Sequence, residues 1–271
     1  MMSNEYRFKD NSENMDGLRK LVLFGADKEK NNQALSTDII RLDSYRRSIS
    51  PGIEASRPKY QVTTPSGEIY FKFRLTQNEI AAEIFSYHIG KLLSIPVAET
   101  HLAIYKDEIG IASYDIGYYT EPNDSESYSI KQFLNLDGFV DMCLFDYVIM
   151  NEDRHAGNWG IIDNKVAPLF DHNNCFGGSE PYVDFDYFMT RVTSSFYVNT
   201  EYEQSHDKIL EFFVCNRLDD VKDFMQRLSR VNTIVDTALI EYDKNISDKF
   251  NYLLRKRIGY MFMKVGEYCG R

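Results

Sequence analysis

The first regular alternation of apolar and polar positions falls between Lys59 and Leu75. Tyr60 to Thr64 favours a strand, Pro65-Ser66-Gly67 a turn, and Ile69 to Phe73 a second strand. The period then lengthens. From Asn78 to Leu93, the residues Ile80, Ile84, Tyr87 and Leu92 fall near one helical face, and Pro96 stops the helix. His101 to Tyr105 and Ile109 to Tyr114 predict two more strands about the turn Lys106-Asp107-Glu108. Glu121 to Ser129 is polar and turn-rich, and a lobe boundary is placed there. Leu136 to Met150 is apolar almost all round, as in a central buried helix. Trp159 to Ile162 and Lys165 to Phe170 predict a hairpin about Asp163-Asn164. Beyond Asn199 the apolar spacing is helical, as in Val221, Phe224, Met225 and Leu228. Residues 1–35, rich in Asn, Asp, Glu and Lys, are expected to be weakly ordered. The expected class is α+β, with a β-rich part over residues 1–120 and a helical part over 121–271.

Composition narrows the function. With 271 residues, the chain is long enough for two lobes around a cleft. A formal net charge of −10 argues against broad nucleic-acid binding, which needs a basic footprint. Arg46, Arg47, Arg57 and Lys59 form a local basic patch that reads as a solvated loop. There is no apolar run of membrane-spanning length, and Met1 to Asp16 lacks the pattern of a secretory signal. Cys143, Cys175, Cys215 and Cys269 are scattered, with no pair at metal-ligand spacing, which predicts reduced thiols and a cytoplasmic protein.

The chemistry concentrates between Asn151 and Asp171. Gly157 and Gly160 read as places for sharp bends, and the hairpin that follows brings Asn158 beside Asp171, with Asp153 on the adjoining loop. Three oxygen-bearing side chains converging in this way suit a hard cation such as Mg²⁺, which keeps positions open for substrate phosphates. Asp153 and Asn158 have the spacing D-x-x-x-x-N. In phosphoryl transfer that spacing separates the base from one metal ligand, and a second aspartate holds the metals. Lys72 sits inside the apolar strand Tyr70-Phe-Lys-Phe73, where its buried charge needs a partner. Glu83 on the next helix is the first choice and Glu79, one turn earlier, the second.

These stretches carry a resemblance. Ser56-Arg-Pro-Lys-Tyr60, Tyr70 to Phe73, Glu83 to Pro96, Asn151 to Gly160 and Ala167-Pro-Leu-Phe-Asp171 resemble, in order, the HipA-like serine/threonine kinases, especially their short branch. The resemblance covers roughly residues 45–180 and implies a two-lobed, atypical protein-kinase-like fold that uses ATP and Mg²⁺ to phosphorylate a protein. It implies Lys72 on the phosphates, Glu83 as its partner, Asp153 as base, and Asn158 and Asp171 as catalytic metal ligands. Lys59, Tyr114, Ile116 and His155 are also expected at the nucleotide, with His155 shaping the loop. It further implies autophosphorylation at Ser48 or Ser50 in Arg46-Arg-Ser-Ile-Ser-Pro, and an antitoxin as one type of partner. The chain departs from ordinary protein kinases in having no G-x-G-x-x-G, no A-P-E, and Phe-Asp171-His-Asn in place of D-F-G. The segment covering the phosphates is therefore expected at Ser50 to Lys59. A kinase for lipids or small molecules, and a pseudokinase that only binds nucleotide, are the rival readings.

Overall fold

A computed structural model describes residues 39–49, 58–122, 130–177, 206–238 and 244–270. The expected weak order of residues 1–35, and most of the segment expected over the phosphates, lie outside them.

The N-terminal part is one six-stranded sheet. Its strands are β1 (Ile40–Arg41), β2 (Arg46–Ile49), β3 (Lys59–Thr64), β4 (Gly67–Phe73), β5 (Thr100–Tyr105) and β6 (Glu108–Tyr114), in the order β1-β5-β6-β4-β3-β2. All neighbours are antiparallel except β1 with β5. The four strands predicted from alternation are present. The two edge strands are additional, because two residues of β1 and the Arg-Arg-Ser-Ile of β2 are too short or too polar to show a period. Lys106 and Asp107 both take positive φ (47° and 65°), the geometry of a tight hairpin turn between β5 and β6.

Along β4 the two-residue period sorts side chains by face. Ile69, Phe71 and Phe73 bury together with Val62, Ala103, Tyr105 and Ala112. Lys72 points to the opposite face. There the helix α1 (Gln77–Leu92) lies, entered through a capping box in which Thr76 and Glu79 satisfy each other's backbone N–H groups. Two apolar stripes run along α1. Ile80 and Ile84 pack on Leu102, Ile109 and Ile111 of the sheet, while Ala81, Ala82, Phe85 and Ile89 join the core of the C-terminal part. Being covered on both sides, α1 can hold Glu83 almost fully buried.

The C-terminal part contains α2 (Ile130–Phe133), α3 (Phe139–Ile149), α4 (His206–Asn216), α5 (Leu218–Ala238) and α6 (Lys244–Cys269). In α3 every residue except Asp141 is buried, as expected for a central helix. It starts later than the apolar run suggests because Gly138, at φ 81°, is left-handed and cannot continue a helix backwards. Strands β7 (Ile161–Ile162) and β8 (Lys165–Val166) form the expected hairpin, but with shorter arms. The second arm leaves the ladder because Leu169 pairs elsewhere. Its N–H donates to the Pro96 carbonyl at 2.9 Å, and its carbonyl accepts from Ala98 N–H at 2.8 Å. The end of the hairpin is thus stitched to the N-terminal part. All four cysteines are free thiols. Among the described residues no helix is long and apolar enough to cross a membrane.

Gly110 of β6 lies where a Cβ would meet the Lys72 carbonyl oxygen at 1.9 Å. A backbone atom in mid-sheet cannot yield. Gly110→Ala is therefore expected to destabilise the fold by about 1–3 kcal/mol or more, as overpacking does. A urea midpoint equal to that of the unmodified protein would contradict this close approach.

Candidate active site

Lys72 is the meeting point of the two parts. Its Nζ lies 2.9 Å from Glu83 Oε1 and 2.8 Å from Asp171 Oδ1. Glu83 is 1% exposed and Lys72 13%, while Asp171 is one-third open. Burial alone would lower the Lys72 pKa, but the two carboxylates outweigh it and raise it, so the ammonium stays charged. Burial opposes ionisation of Asp171, yet Lys72, with Lys59 and Arg154, holds its carboxyl below the usual range. Glu83 goes the other way, pushed up by burial. Lys59 pairs with Lys72 across the β3–β4 ladder. Its own pKa is lowered by burial and by the Lys72 charge, against the pull of Asp171.

The loop after α3 is built on a fully buried ion pair. Arg154 donates through Nε and Nη2 to the two oxygens of Asp146, each at 3.0 Å. Its Nη1 donates to the Asn158 carbonyl at 2.6 Å and to the Phe170 carbonyl at 3.0 Å. One guanidinium therefore fixes α3, the loop and the end of the hairpin together. Asn151 completes the frame: its Nδ2 donates to Asp146 at 2.9 Å, and its Oδ1 accepts from the Asp153 N–H at 3.0 Å. Asn158 Nδ2 donates to the Asp153 carbonyl at 2.7 Å. These bonds bring Asp153 and Asn158 together and, through Arg154, tie the Asn158 carbonyl to the Phe170 carbonyl next to Asp171.

The glycines act differently from the expectation. Neither Gly157 nor Gly160 takes a positive φ. Gly160 is required by closeness, since a Cβ there would lie 2.1 Å from the Tyr119 ring. Asp171 itself is left-handed, at φ 61°, which turns the chain sharply beside Lys72.

The donor set fits a magnesium ion. Among the described residues, Asn158 Oδ1 and Asp171 Oδ2 accept no hydrogen bond, and no cage of three or more His, Cys, Asp or Glu side chains forms. Amide and carboxylate oxygens are the hard donors that Mg²⁺ takes, with water and phosphate completing its shell.

The remaining expected residues divide. His155 caps the turn at Ala156–Asn158, its Nδ1 accepting from Gly157 N–H at 3.1 Å, which is a loop-shaping position. Tyr114 ends β6, and Ile116 lies half-buried in the linker beyond it. Among the described residues neither hydrogen-bonds to Lys72, Glu83 or Asp171. Glu79 is occupied by the capping box, which removes it as a partner for Lys72. Ser48 lies in β2 opposite Gln61. Its side chain, those of Arg46 and Arg47, and all of Ser50 and Arg57 lie outside the described residues. Asp146, Asn151, Arg154 and Asn174 belong to the site but were not singled out by the sequence. Of the two aspartates of α3, Asp146 is the buried one, and a charge inside so apolar a run, which needs a partner, is the signal that could have found it.

No family model matches the chain. It is similar to the serine/threonine-protein kinase CtkA of Helicobacter pylori, 25% identical over 157 residues, or 43% of this chain and 46% of that protein. The match thus spans about half the length of that curated relative. In fold it is similar to the crystal structure of the H. pylori proinflammatory kinase CtkA, with TM-score 0.64 and 16% identity over 86% of this chain and 99% of that one. It is also similar to HipA in the toxin–antitoxin complex of HipA, HipB and operator DNA from Shewanella oneidensis, with TM-score 0.57 and 12% identity over 80% of this chain and 66% of that one. The fold is the two-lobed α+β kinase fold, and the resemblance to HipA-like kinases holds in both sequence and structure.

The frame of the loop carries a pH dependence. His206 is buried under the loop, with Nε2 3.3 Å from the Asn151 carbonyl, and burial with the Arg257 charge pushes its pKa down to about 3. The unfolded chain takes up this proton near pH 6.5 while the folded chain refuses it. Stability is therefore full above pH 6.5 and falls by about 1.4 kcal/mol per unit from this group as pH drops towards 3. His88, pushed by burial to about 4, adds to the loss. Urea unfolding at pH 7 and pH 5 should show the fall, and His206→Gln should flatten it. An unchanged slope in that variant would contradict the assignment.

Proposed function

We propose that this chain, HipA-like in sequence and fold, is an ATP- and Mg²⁺-dependent kinase that phosphorylates a serine or threonine hydroxyl of a protein. The observation that carries the reading is Lys72 held between Glu83 and Asp171, with the Asp153–Asn158 loop tied to the same hairpin. Lys72 supplies positive charge to the α- and β-phosphates, and Glu83 keeps its ammonium aimed. Asp153 accepts the proton of the attacking hydroxyl. The oxygen's electron pair then forms the new bond to the γ-phosphorus, and the pair of the broken bond leaves on ADP. Asn158 and Asp171 would hold Mg²⁺, which when bound supplies neutralising charge at the phosphates.

A lipid or small-molecule hydroxyl would meet the same groups, so the acceptor is decided by experiment. A pseudokinase is disfavoured because Lys72, Asp153, Asn158 and Asp171, the residues this reading needs, are all present. The reading includes self-phosphorylation at Ser48 or Ser50. Ser48 lies on β2, opposite Gln61 of the strand that begins at Lys59, so a phosphate there would bear on the nucleotide entrance. The HipA of similar fold was solved with HipB and operator DNA. An antitoxin is accordingly the partner class proposed for this chain, with no direct contact to nucleic acid.

Incubation with γ-labelled ATP, Mg²⁺ and cell lysate tests the function. Label is expected in protein at serine or threonine, and peptide mapping of the kinase itself reads Ser48 and Ser50. Asp153→Asn should reduce transfer by about 10²–10⁴ while nucleotide still binds. Lys72→Ala should weaken nucleotide binding as well. Label appearing only in lipid or small metabolites would overturn the substrate class, and no transfer by the unmodified protein would overturn the kinase reading.

A further inference from the structure

The segment after Asp171 reaches three groups of the site in succession. Asp171 meets Lys72. His172 lies beside the Glu83 carboxylate, its Nδ1 3.9 Å from Oε2. Asn174 Nδ2 then donates to Asp153 Oδ2 at 2.8 Å. The segment is anchored at its far end by Cys175 and Phe176, both buried, the Phe176 ring lying 5.1 Å from Phe250 of α6. A turn bond from Cys175 N–H to the His172 carbonyl, at 3.0 Å, fixes the residues between.

Among the described residues, Asp153 is otherwise hydrogen-bonded only through its backbone, by Asn151 and Asn158. Its carboxylate is about one-third exposed (35%), and rotation about the last side-chain bond exchanges its oxygens freely unless something holds one of them. His155 does not hold it, since Nε2 is 3.9 Å from Oδ1, beyond hydrogen-bond reach. The carboxylate only accepts, so the Asn174 amide must present its NH₂ group to it. Asn174 thus occupies Oδ2, and among the described residues Oδ1 accepts no hydrogen bond.

We infer that Asn174 is a positioning residue for the base: it pins Oδ2 of Asp153 and so assigns Oδ1 to receive the hydroxyl proton. The inference rests on the reading of Asp153 as base. Because Asn174 and Asp171 share one short segment, it also ties the orientation of the base to the placement of the metal-ligand carboxylate.

The test is a double-mutant cycle on initial rates of transfer from γ-labelled ATP to lysate protein, with melting followed in parallel. Asn174→Ala is expected to lower kcat by about 10- to 100-fold, the scale of losing the geometry of a reacting group, with KM for ATP changed by less than about twofold. Added to Asp153→Asn it should cost nothing further, because it acts through that carboxylate. Asn174→Asp keeps the shape, replaces the donor by a second carboxylate, and should lose at least as much. The inference is overturned if either Asn174 variant keeps full kcat. It is equally overturned if the losses of Asn174→Ala and Asp153→Asn multiply, or if kcat, KM and melting temperature fall together as for a merely structural residue. Near-normal turnover by Asp153→Asn would instead overturn the base assignment itself, and this inference with it.

Discussion

The ion pair of Arg154 with Asp146 is the constraint on which the site depends. Both side chains are completely buried, and neither charge could remain there alone. Desolvating such a pair costs several kcal/mol, so it adds little net stability, whereas removing one partner costs about 3–5 kcal/mol. What the pair contributes is placement. A flexible loop after α3 would leave Asp153 and Asn158 with no fixed relation to a hairpin that ends at Asp171. The guanidinium removes that freedom by bonding to α3, to the loop and to the hairpin end at once.

The two parts of the chain are registered by a second, more open set of contacts. Lys72 reaches Glu83 and Asp171, and Leu169 pairs with the backbone at Pro96 and Ala98. The helix α1 packs on the sheet through one stripe and on the helical core through the other, Phe85 lying 4.9 Å from Phe250. Any shift between the parts must therefore move α1, and Glu83 with it. Lys72, its partner Glu83 and Asp171 rise or fall as one unit, as the proposed phosphoryl transfer by positioning and electrostatics requires.

Much of this was legible in the residues. The alternation around Lys72, the spacing from Asp153 to Asn158 and the apolar run of α3 located strand, loop and central helix. Glu83 was correctly preferred over Glu79, and Thr76-x-x-Glu79 is itself a capping signal that assigns Glu79 elsewhere. Three things were not legible. Strands β1 and β2 exist through pairing with longer neighbours and carry no period of their own. The short arms of the β7–β8 hairpin follow from Leu169 pairing across to the other part, a contact about seventy residues distant in sequence. Asn174 meets Asp153 only because the chain turns at Asp171 and again before Cys175. Arg154 lies between these cases, since a charged residue beside a base reads equally well as solvated or as buried until Asp146 is known to need a partner.

The central claim is that Asn158 and Asp171 are metal ligands within an ATP site, with Lys72 on the phosphates. Calorimetric titration of ATP with and without Mg²⁺, on the unmodified protein and on Asp171→Asn, tests it most directly. The account predicts distinctly tighter binding with Mg²⁺, and a difference that largely disappears in the variant. Equal ATP affinity with and without the ion in the unmodified protein would contradict it.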